Sequence, residues 1–521
     1  MIARKLFFAS LVHCLVGSLL SAQIPSPKTE PLRPTQGIQG AAGCSATDAS
    51  SCAQAAAKIT PIVMGDSPLE ENLRKLTDEI GGRVSGSPQM AKAVDWGVSA
   101  FRAAGVDVHT EKYMLPVVWS EGDTRLEVHG PVSFPVSLVS VGLSPATPPG
   151  GIEAQLVFVG EGSEANFARA GGSLKGAILL VHTEVSHTWQ DLSKEYDVPP
   201  PIIERGVKAG AAAVLWMGER ERKLLYRHTN SQDGKLEALP QAVVAREDAL
   251  RLERMALANP GRVRLHLTMP NKASGPVEQF NVVGEIRGYE KPDEIVVLGA
   301  HLDSWDLGTG ALDNGCNAAL VIEAARAIKA SGLLPRRTIR FILFSGEEQG
   351  PIGSREYVRE HRAEMDRYRG VVIFDDGVGR TTGYSLGGRH DIEAAVREIL
   401  KPFVGWGVDS DTFDATTGSD HLDFLLEGVP TLYANQEVAN YLGNYHAASD
   451  TFDKVDIREL KLNTVLAAVT AWGIADRAEP IGKRQTRAEL EELMKDTGLD
   501  KELQALGLWS EFQSGSRGRR R

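Results

Sequence analysis

At 521 residues the chain exceeds one ordinary hydrophobic core, so two or three domains are expected. Its 42% hydrophobic and 24% charged residues exclude a disordered or fibrous chain. The net charge of -11 leaves no basic footprint for nucleic acid; it favours solubility and says nothing of substrate.

The chain opens with Arg4 and Lys5, an apolar stretch from Leu6 to Leu20, and then Ser21, Ala22 and Gln23. Charge, length and small-residue exit read as a secretory signal over residues 1–22, cleaved near Ala22. The apolar run is short for a membrane span, and no later segment is long enough for one. His13 before Cys14 argues against a lipoprotein signal. A secreted or periplasmic location is therefore expected. Residues 23–58 are rich in Pro, Gly, Ser, Ala and Thr and read as a poorly ordered leader. Within it, Cys44 and Cys52 are open to two readings, a local disulfide or two thiols.

Helical periodicity starts at Leu69 and runs through Leu76 and Ile80, until GGRVSGSPQM breaks it. A second helix is predicted from Met90 to Ala104, capped by Gly105, followed by the strand VDVHTEKYML. Residues 125–272 differ: short β runs such as AQLVFVG and GAILLVH alternate with turns, with one helix near Ile202–Ala209. The histidines there (His129, His182, His187, His228 and His266) are scattered and read as surface or packing residues. The block reads as an inserted β-rich module.

From Phe280 the pattern becomes strand, loop, helix. EIVVLGA, TIRFILFS, GVVIFD and VPTLYA are apolar runs suited to buried strands, and Asn314–Lys329 is helical with Leu320, Val321, Ala324, Ala325 and Ile328 on one stripe. The alternation predicts an α/β domain with a mixed or parallel central sheet. Ile457–Ala475 closes it as a helix, and residues 481–521 form a charged tail, a charged helix from Arg484 followed by SGSRGRRR, whose basic end is expected to be solvated and disordered.

Five segments carry acids and histidines: VVLGAHLDSWDLG, ALDNG, LFSGEEQG, FDDG and NYHAASDTFDKVD. His301, Glu347, Glu348 and Asp376 fall just past predicted strands, where open α/β sheets collect their ligands. Two cations about 3.5–4 Å apart can activate one water for hydrolysis, and their repulsion calls for a bridging carboxylate. Asp313, alone in the tight loop GALDNG, is the candidate bridge; His301 with Asp376, and His446 with Glu348, complete a balanced set. Imidazole with carboxylate suits zinc, with manganese or cobalt also compatible. Adjacent Glu347 and Glu348 diverge at a strand end, so one can ligate while Glu347 stays free as general base. Asp303, two residues beyond His301, is placed to orient the imidazole. Cys316 lacks a cysteine partner nearby, against a zinc–thiolate site.

These segments resemble the M28 family of zinc peptidases. GAHLDSWDLGTGALDNG, FSGEEQGPIGS and YHAASDTFDKVD carry the resemblance; HLDSWD, EEQG and LTDEIGGRVSGS are similar to its carboxypeptidase Q (plasma glutamate carboxypeptidase) branch. The resemblance covers residues 65 to 476. It implies a phosphorylase/hydrolase-like catalytic domain (59–124 and 273–480) with a protease-associated-type insert at 125–272. It also implies two zinc ions, one held by His301, Asp313 and Asp376, the other by Asp313, Glu348 and His446. FDDG offers both Asp375 and Asp376, and the family pattern favours Asp376. Tyr445 corresponds to an oxyanion-stabilising tyrosine of some relatives, or else is a packed aromatic. A cis peptide after the bridge, here Asp313–Asn314, and a homodimer are further implications. The expected activity is that of an exported exopeptidase on dipeptides or short peptides. Alternatives are a broader aminopeptidase, a hydrolase of non-peptide amides, and an inactive peptidase-like binding protein.

Overall fold

The computed structural model describes residues 48–520. The signal, most of the leader and Cys44 lie outside the described residues, so the Cys44–Cys52 pairing does too.

The larger sheet has seven strands in the spatial order Asp107–Leu115, Val277–Ile286, Arg337–Phe344, Lys291–His301, Tyr368–Ile373, Thr431–Gln436 and Thr381–Ser385. The strands from Arg337–Phe344 to Thr431–Gln436 pair in parallel, and the outer ones are antiparallel. This is the expected mixed sheet. Its centre is built from continuous apolar runs because both faces are covered: Val296, Val297, Leu298, Phe341, Ile342, Leu343, Val371 and Val372 are all fully buried.

One face packs on the helices Pro88–Ala103, Cys316–Ala330 and Ile457–Asp476. The first starts two residues earlier than predicted, because the Ser87 side chain accepts from the Met90 N–H and Pro88 fills the first helical position. The second carries its predicted stripe, but Ala318, Ala319 and Ile322 are buried as well. A helix lying between a sheet and other helices is apolar nearly all round. The opposite sheet face is aromatic, with Phe344, Tyr357, Tyr368 and Phe424 packed together.

Two expectations need correction. The leader is not loose up to residue 58: Asp48–Met64 is helical. Ala55, Ile59 and Val63, four residues apart, are fully buried, and the helix lies against Cys316–Ala330 and Ile457–Asp476. Its Ala-rich composition hid that stripe. The charged helix expected from Arg484 is present as Arg487–Thr497, but the end of the C-terminal tail is not solvated. Helices Arg487–Thr497, Leu499–Ala505 and Trp509–Ser514 bury Leu490, Met494, Leu503 and Phe512 against Leu422, Leu425 and Leu426. Arg517, expected to be solvated, makes a bidentate pair with buried Asp423 at 2.8 and 2.7 Å.

The block at 125–272 forms a second seven-stranded sheet, in the order Arg125–His129, Arg264–Thr268, Ile152–Phe158, Ile178–Val181, Ala213–Met217, Gln241–Val244 and Leu138–Ser140. The two-stranded ribbon of Val118–Ser120 with Lys272–Ser274 ties its ends together, as an insertion requires. The block is more helical than its sequence suggested. Glu164–Ala170 and Pro199–Ala209 cover one face and Arg246–Ala258 the other, with two separate apolar cores on the two sides of the sheet, while Trp189–Asp197 packs Leu192 on the core of the first sheet.

Candidate metal centre

The parallel strands deliver the candidate side chains to one edge of the sheet. His301 ends its strand, Glu347 and Glu348 follow Arg337–Phe344, and Asp375 follows Tyr368–Ile373. Asp313 comes from the loop before Cys316–Ala330, and His446 from the loop after Thr431–Gln436. Two groups result, His301 with Asp313 and Asp375, and Asp313 with Glu348 and His446; within each, the ligand atoms lie within 4.8 Å of one another. Asp313 is common to both. Its Oδ1 is 3.2 Å from His301 Nε2 and its Oδ2 is 3.2 Å from His446 Nε2, one oxygen toward each imidazole. Asp375 Oδ1 is 2.8 Å from His301 Nε2, and Glu348 Oε2 is 2.9 Å from His446 Nε2.

Asp376, the expected partner of His301, belongs to neither group. Successive side chains leaving a strand point to opposite sides. Asp375 turns into the cluster, and Asp376 turns to Tyr433, whose hydroxyl donates to its Oδ1 at 2.6 Å. Burial pushes the Asp376 carboxyl up to about 8, against the pull of that hydrogen bond.

Asp303, expected to orient His301 by its side chain, touches it mainly through the backbone. Its backbone carbonyl, 3.0 Å from His301 Nδ1, lies nearer than its carboxylate, 3.6 Å away. The carboxylate accepts from the Glu347 and Glu348 N–H groups at 3.2 and 3.3 Å, so it fixes the turn that separates those two side chains. Asp450 has the corresponding role at the bridge. It accepts from the Ala311, Leu312 and Asp313 N–H groups at 3.0, 2.7 and 3.1 Å. Arg83, fully buried, donates to the carbonyls of Thr309 and Gly310 at 2.7 and 2.9 Å and also to that of Leu302. Gly310 makes room for it: φ is +59°, and a Cβ there would meet Arg83 Nη1 at 2.9 Å and Ser304 Cβ at 2.3 Å. The peptide between Asp313 and Asn314 is cis, as the resemblance implied.

His446 sits at φ 56°, a conformation non-glycine residues adopt only when their surroundings impose it. The insert supplies that restraint. The Arg227 N–H donates to the His446 carbonyl at 2.9 Å, and the Arg227 guanidinium is held by Asp306 and Glu121 at 2.6 and 2.7 Å. A second contact comes from the insert helix Trp189–Asp197: the Tyr196 hydroxyl hydrogen-bonds the Tyr445 hydroxyl, and the Tyr445 ring stacks on His446 at 3.7 Å.

These groups border a cavity of about 630 Å³. The insert lines it with Trp189, Tyr196 and Thr229, and the C-terminal helices with Glu502 and Leu506. Burial lifts the Glu347 carboxyl well above the usual range; His301 opposes this, and Asp375, Asp420 and Glu348 add to it. Burial likewise raises Glu348 to about 7. On His446 burial opposes charge, but Glu348 and Asp313 outweigh it and push the imidazole up to about 10. Buried carboxylates crowded this closely call for positive charge among them.

The profile of peptidase family M28 matches residues 281–471. Carboxypeptidase Q from Mus musculus is 30% identical over 413 residues, which cover 78% of this chain and 86% of that one. The chain belongs to peptidase family M28. It is a metallopeptidase of the carboxypeptidase Q type within that family. An M28 peptidase precursor from Shewanella amazonensis has a solved structure with a TM-score of 0.76 at 26% identity, covering 84% of this chain and 100% of that one. The zinc aminopeptidase BSAP from Bacillus subtilis shares the fold, with a TM-score of 0.61 at 20% identity, covering 80% of this chain and 97% of that one.

The M28 peptidases are metal-dependent, and the residues present suit divalent cations. Each group combines one imidazole with carboxylates, a donor set typical for zinc. Asp375 Oδ1 is buried and meets His301 Nε2, a ligand atom of the same group, at 2.8 Å. Sequence reasoning missed Arg83, Asp450, Tyr196 and Arg227. The first two lie inside segments already singled out, GGRVSGS and NYHAASDTFDKVD. Tyr196 and Arg227 lie in the insert, where no pattern marked them.

Proposed function

We propose that this chain is an exported two-zinc exopeptidase that hydrolyses dipeptides or short peptides. The observation behind this is Asp313, one oxygen toward each of two imidazoles, with a further carboxylate beside each and Glu347 left over. His301, Asp313 and Asp375 would hold one ion, and Asp313, Glu348 and His446 the other. Bound there, the ions would polarise the scissile carbonyl and lower the pKa of the attacking water.

The protein's own groups do the rest. Asp303 and the Glu347–Glu348 turn keep Glu347 out of the ligand set and facing the cavity. Glu347, beside the metal-binding groups and outside them, takes one proton from the water and passes it to the leaving amine. The Tyr445 hydroxyl, oriented by Tyr196, is placed to donate to the developing oxyanion. The 125–272 block is a protease-associated-type insert in this reading; it walls the cavity and limits the length of peptide beyond the scissile bond.

The test is a panel of peptides with free and blocked termini, assayed with and without chelator and with zinc restored. Glu347→Gln should retain both metal equivalents and lose about 10²–10⁴-fold in kcat. Near-normal turnover by that variant would refute the assignment of the base. A broader aminopeptidase is the second reading, favoured by the shared fold with a zinc aminopeptidase, and hydrolysis of long free-amine peptides would select it.

A further inference from the structure

Asp376 lines the catalytic cavity, is partly exposed there and belongs to neither metal-binding group. Tyr433, also on the wall, donates its hydroxyl to one carboxylate oxygen at 2.6 Å, which aims the side chain and leaves the other oxygen for a ligand. The rest of the lining is one-sided in charge. Asp197, Asp414 and Glu502 face the cavity, and among the described residues that line it there is no lysine and no arginine. Away from the metal-binding groups, a carboxylate group of a substrate would meet anionic walls with no lysine or arginine to pair with, a costly arrangement in a desolvated cleft. An ammonium group would meet the Asp376 carboxyl, and its positive charge would offset the burial that raises that group and favour the ionised, charge-assisted acceptor.

Position supports the same conclusion. Asp376 follows Asp375 directly, and consecutive Cα atoms are about 3.8 Å apart. The α-amine of an N-terminal residue is separated from the scissile carbonyl carbon by a single Cα. An anchor for that amine must stand beside the metal-binding groups without joining them; the Asp376 side chain turns from the cluster to Tyr433 and still borders the same cavity.

We propose that Asp376, held by Tyr433, is the anchor for an ammonium group of the substrate and so selects peptides by a positive charge at their N-terminal residue. The inference rests on the exopeptidase reading above. The ammonium is either the free α-amine or a basic side chain, and three substrates separate these: alanyl-alanine, N-acetyl-alanyl-alanine and N-acetyl-lysyl-alanine.

The zinc-loaded full chain and Asp376→Asn are compared on all three, with metal content and inhibition by n-butylammonium measured alongside. Removing a hydrogen bond between charged groups should raise KM for alanyl-alanine on the order of 10- to 100-fold. kcat should stay within a few-fold, metal content should be unchanged, and n-butylammonium inhibition should weaken in proportion. A KM rise for N-acetyl-lysyl-alanine alone assigns the anchor to the side chain instead. Tyr433→Phe, which keeps both carboxylates, should raise KM in the same direction by less, and it decides the matter if Asp376→Asn loses metal. Unchanged KM values and unchanged amine inhibition in the variants overturn the inference and leave the exopeptidase reading intact. Failure of the unaltered protein to hydrolyse any peptide with zinc present overturns that reading itself.

Discussion

Asp450→Asn is a sharp test of how the bridging loop is held. The Asp450 carboxylate is buried and accepts three backbone N–H groups, two on Oδ1 at 3.0 and 2.7 Å and one on Oδ2 at 3.1 Å. Asparagine keeps the size and one acceptor oxygen. That oxygen can still serve Ala311 and Leu312, but the amide NH2 then confronts the Asp313 N–H, donor against donor. One hydrogen bond to a charged group is lost, about 1.5–3 kcal/mol, and a buried N–H is left unpaired, about 1–3 kcal/mol. The expected destabilisation is about 2.5–6 kcal/mol, a large part of the 5–15 kcal/mol typical of folded domains. The orphaned N–H belongs to the bridging aspartate, so its carboxylate should lose its aim and zinc affinity should fall with stability. Urea unfolding in chelator compares the two proteins without metal, and zinc titration measures the second effect. Glu437→Gln, at an exposed acid, is the control and should lie within about 0.5 kcal/mol. If Asp450→Asn matches that control in both assays, the loop is held by something other than these bonds.

Other expectations follow from the same contacts. Tyr196→Phe removes the hydroxyl that orients Tyr445 without touching the metal-binding groups; kcat should fall roughly 10-fold with metal content intact, and unchanged kcat would remove the insert from the reaction. Phe512→Ala should cost about 3–5 kcal/mol in urea unfolding, because Phe512 is fully buried in the C-terminal cluster, whereas a loose tail would give almost nothing. Glu237 tests the pH dependence. Burial pushes its carboxyl up to about 7, above the unfolded value, so the folded state holds its proton more tightly and stability falls as pH rises from about 4.5 to 7. Glu237→Gln should remove that slope, gaining roughly 2 kcal/mol at pH 8 relative to pH 4.5 after solvent screening, and an unaltered slope would refute it.

The difference between Asp375 and Asp376 shows where sequence reasoning stops. Both are acids at the end of the same strand, and which one enters the cluster depends on the pleat and on the Tyr433 hydroxyl waiting on the other side. The helix Asp48–Met64 and the C-terminal helices are a second case. Their composition is polar or small-residue, and what orders them is apolar surface supplied by distant parts of the chain, Ile457–Asp476 for one and Leu422–Leu426 for the other.

The sequence by itself determined the central strands, the residue types at their ends and the place of Asp313 in a tight loop before a helix. Those follow from local chemistry: an apolar run long enough to be buried, a tight glycine loop, an acid or histidine just beyond. Tertiary structure alone decided which oxygen faces which imidazole, which of two adjacent aspartates takes part, and that Tyr196 and Arg227 of the insert reach across to Tyr445 and His446. Such contacts join residues more than two hundred positions apart, and no periodicity or spacing encodes them.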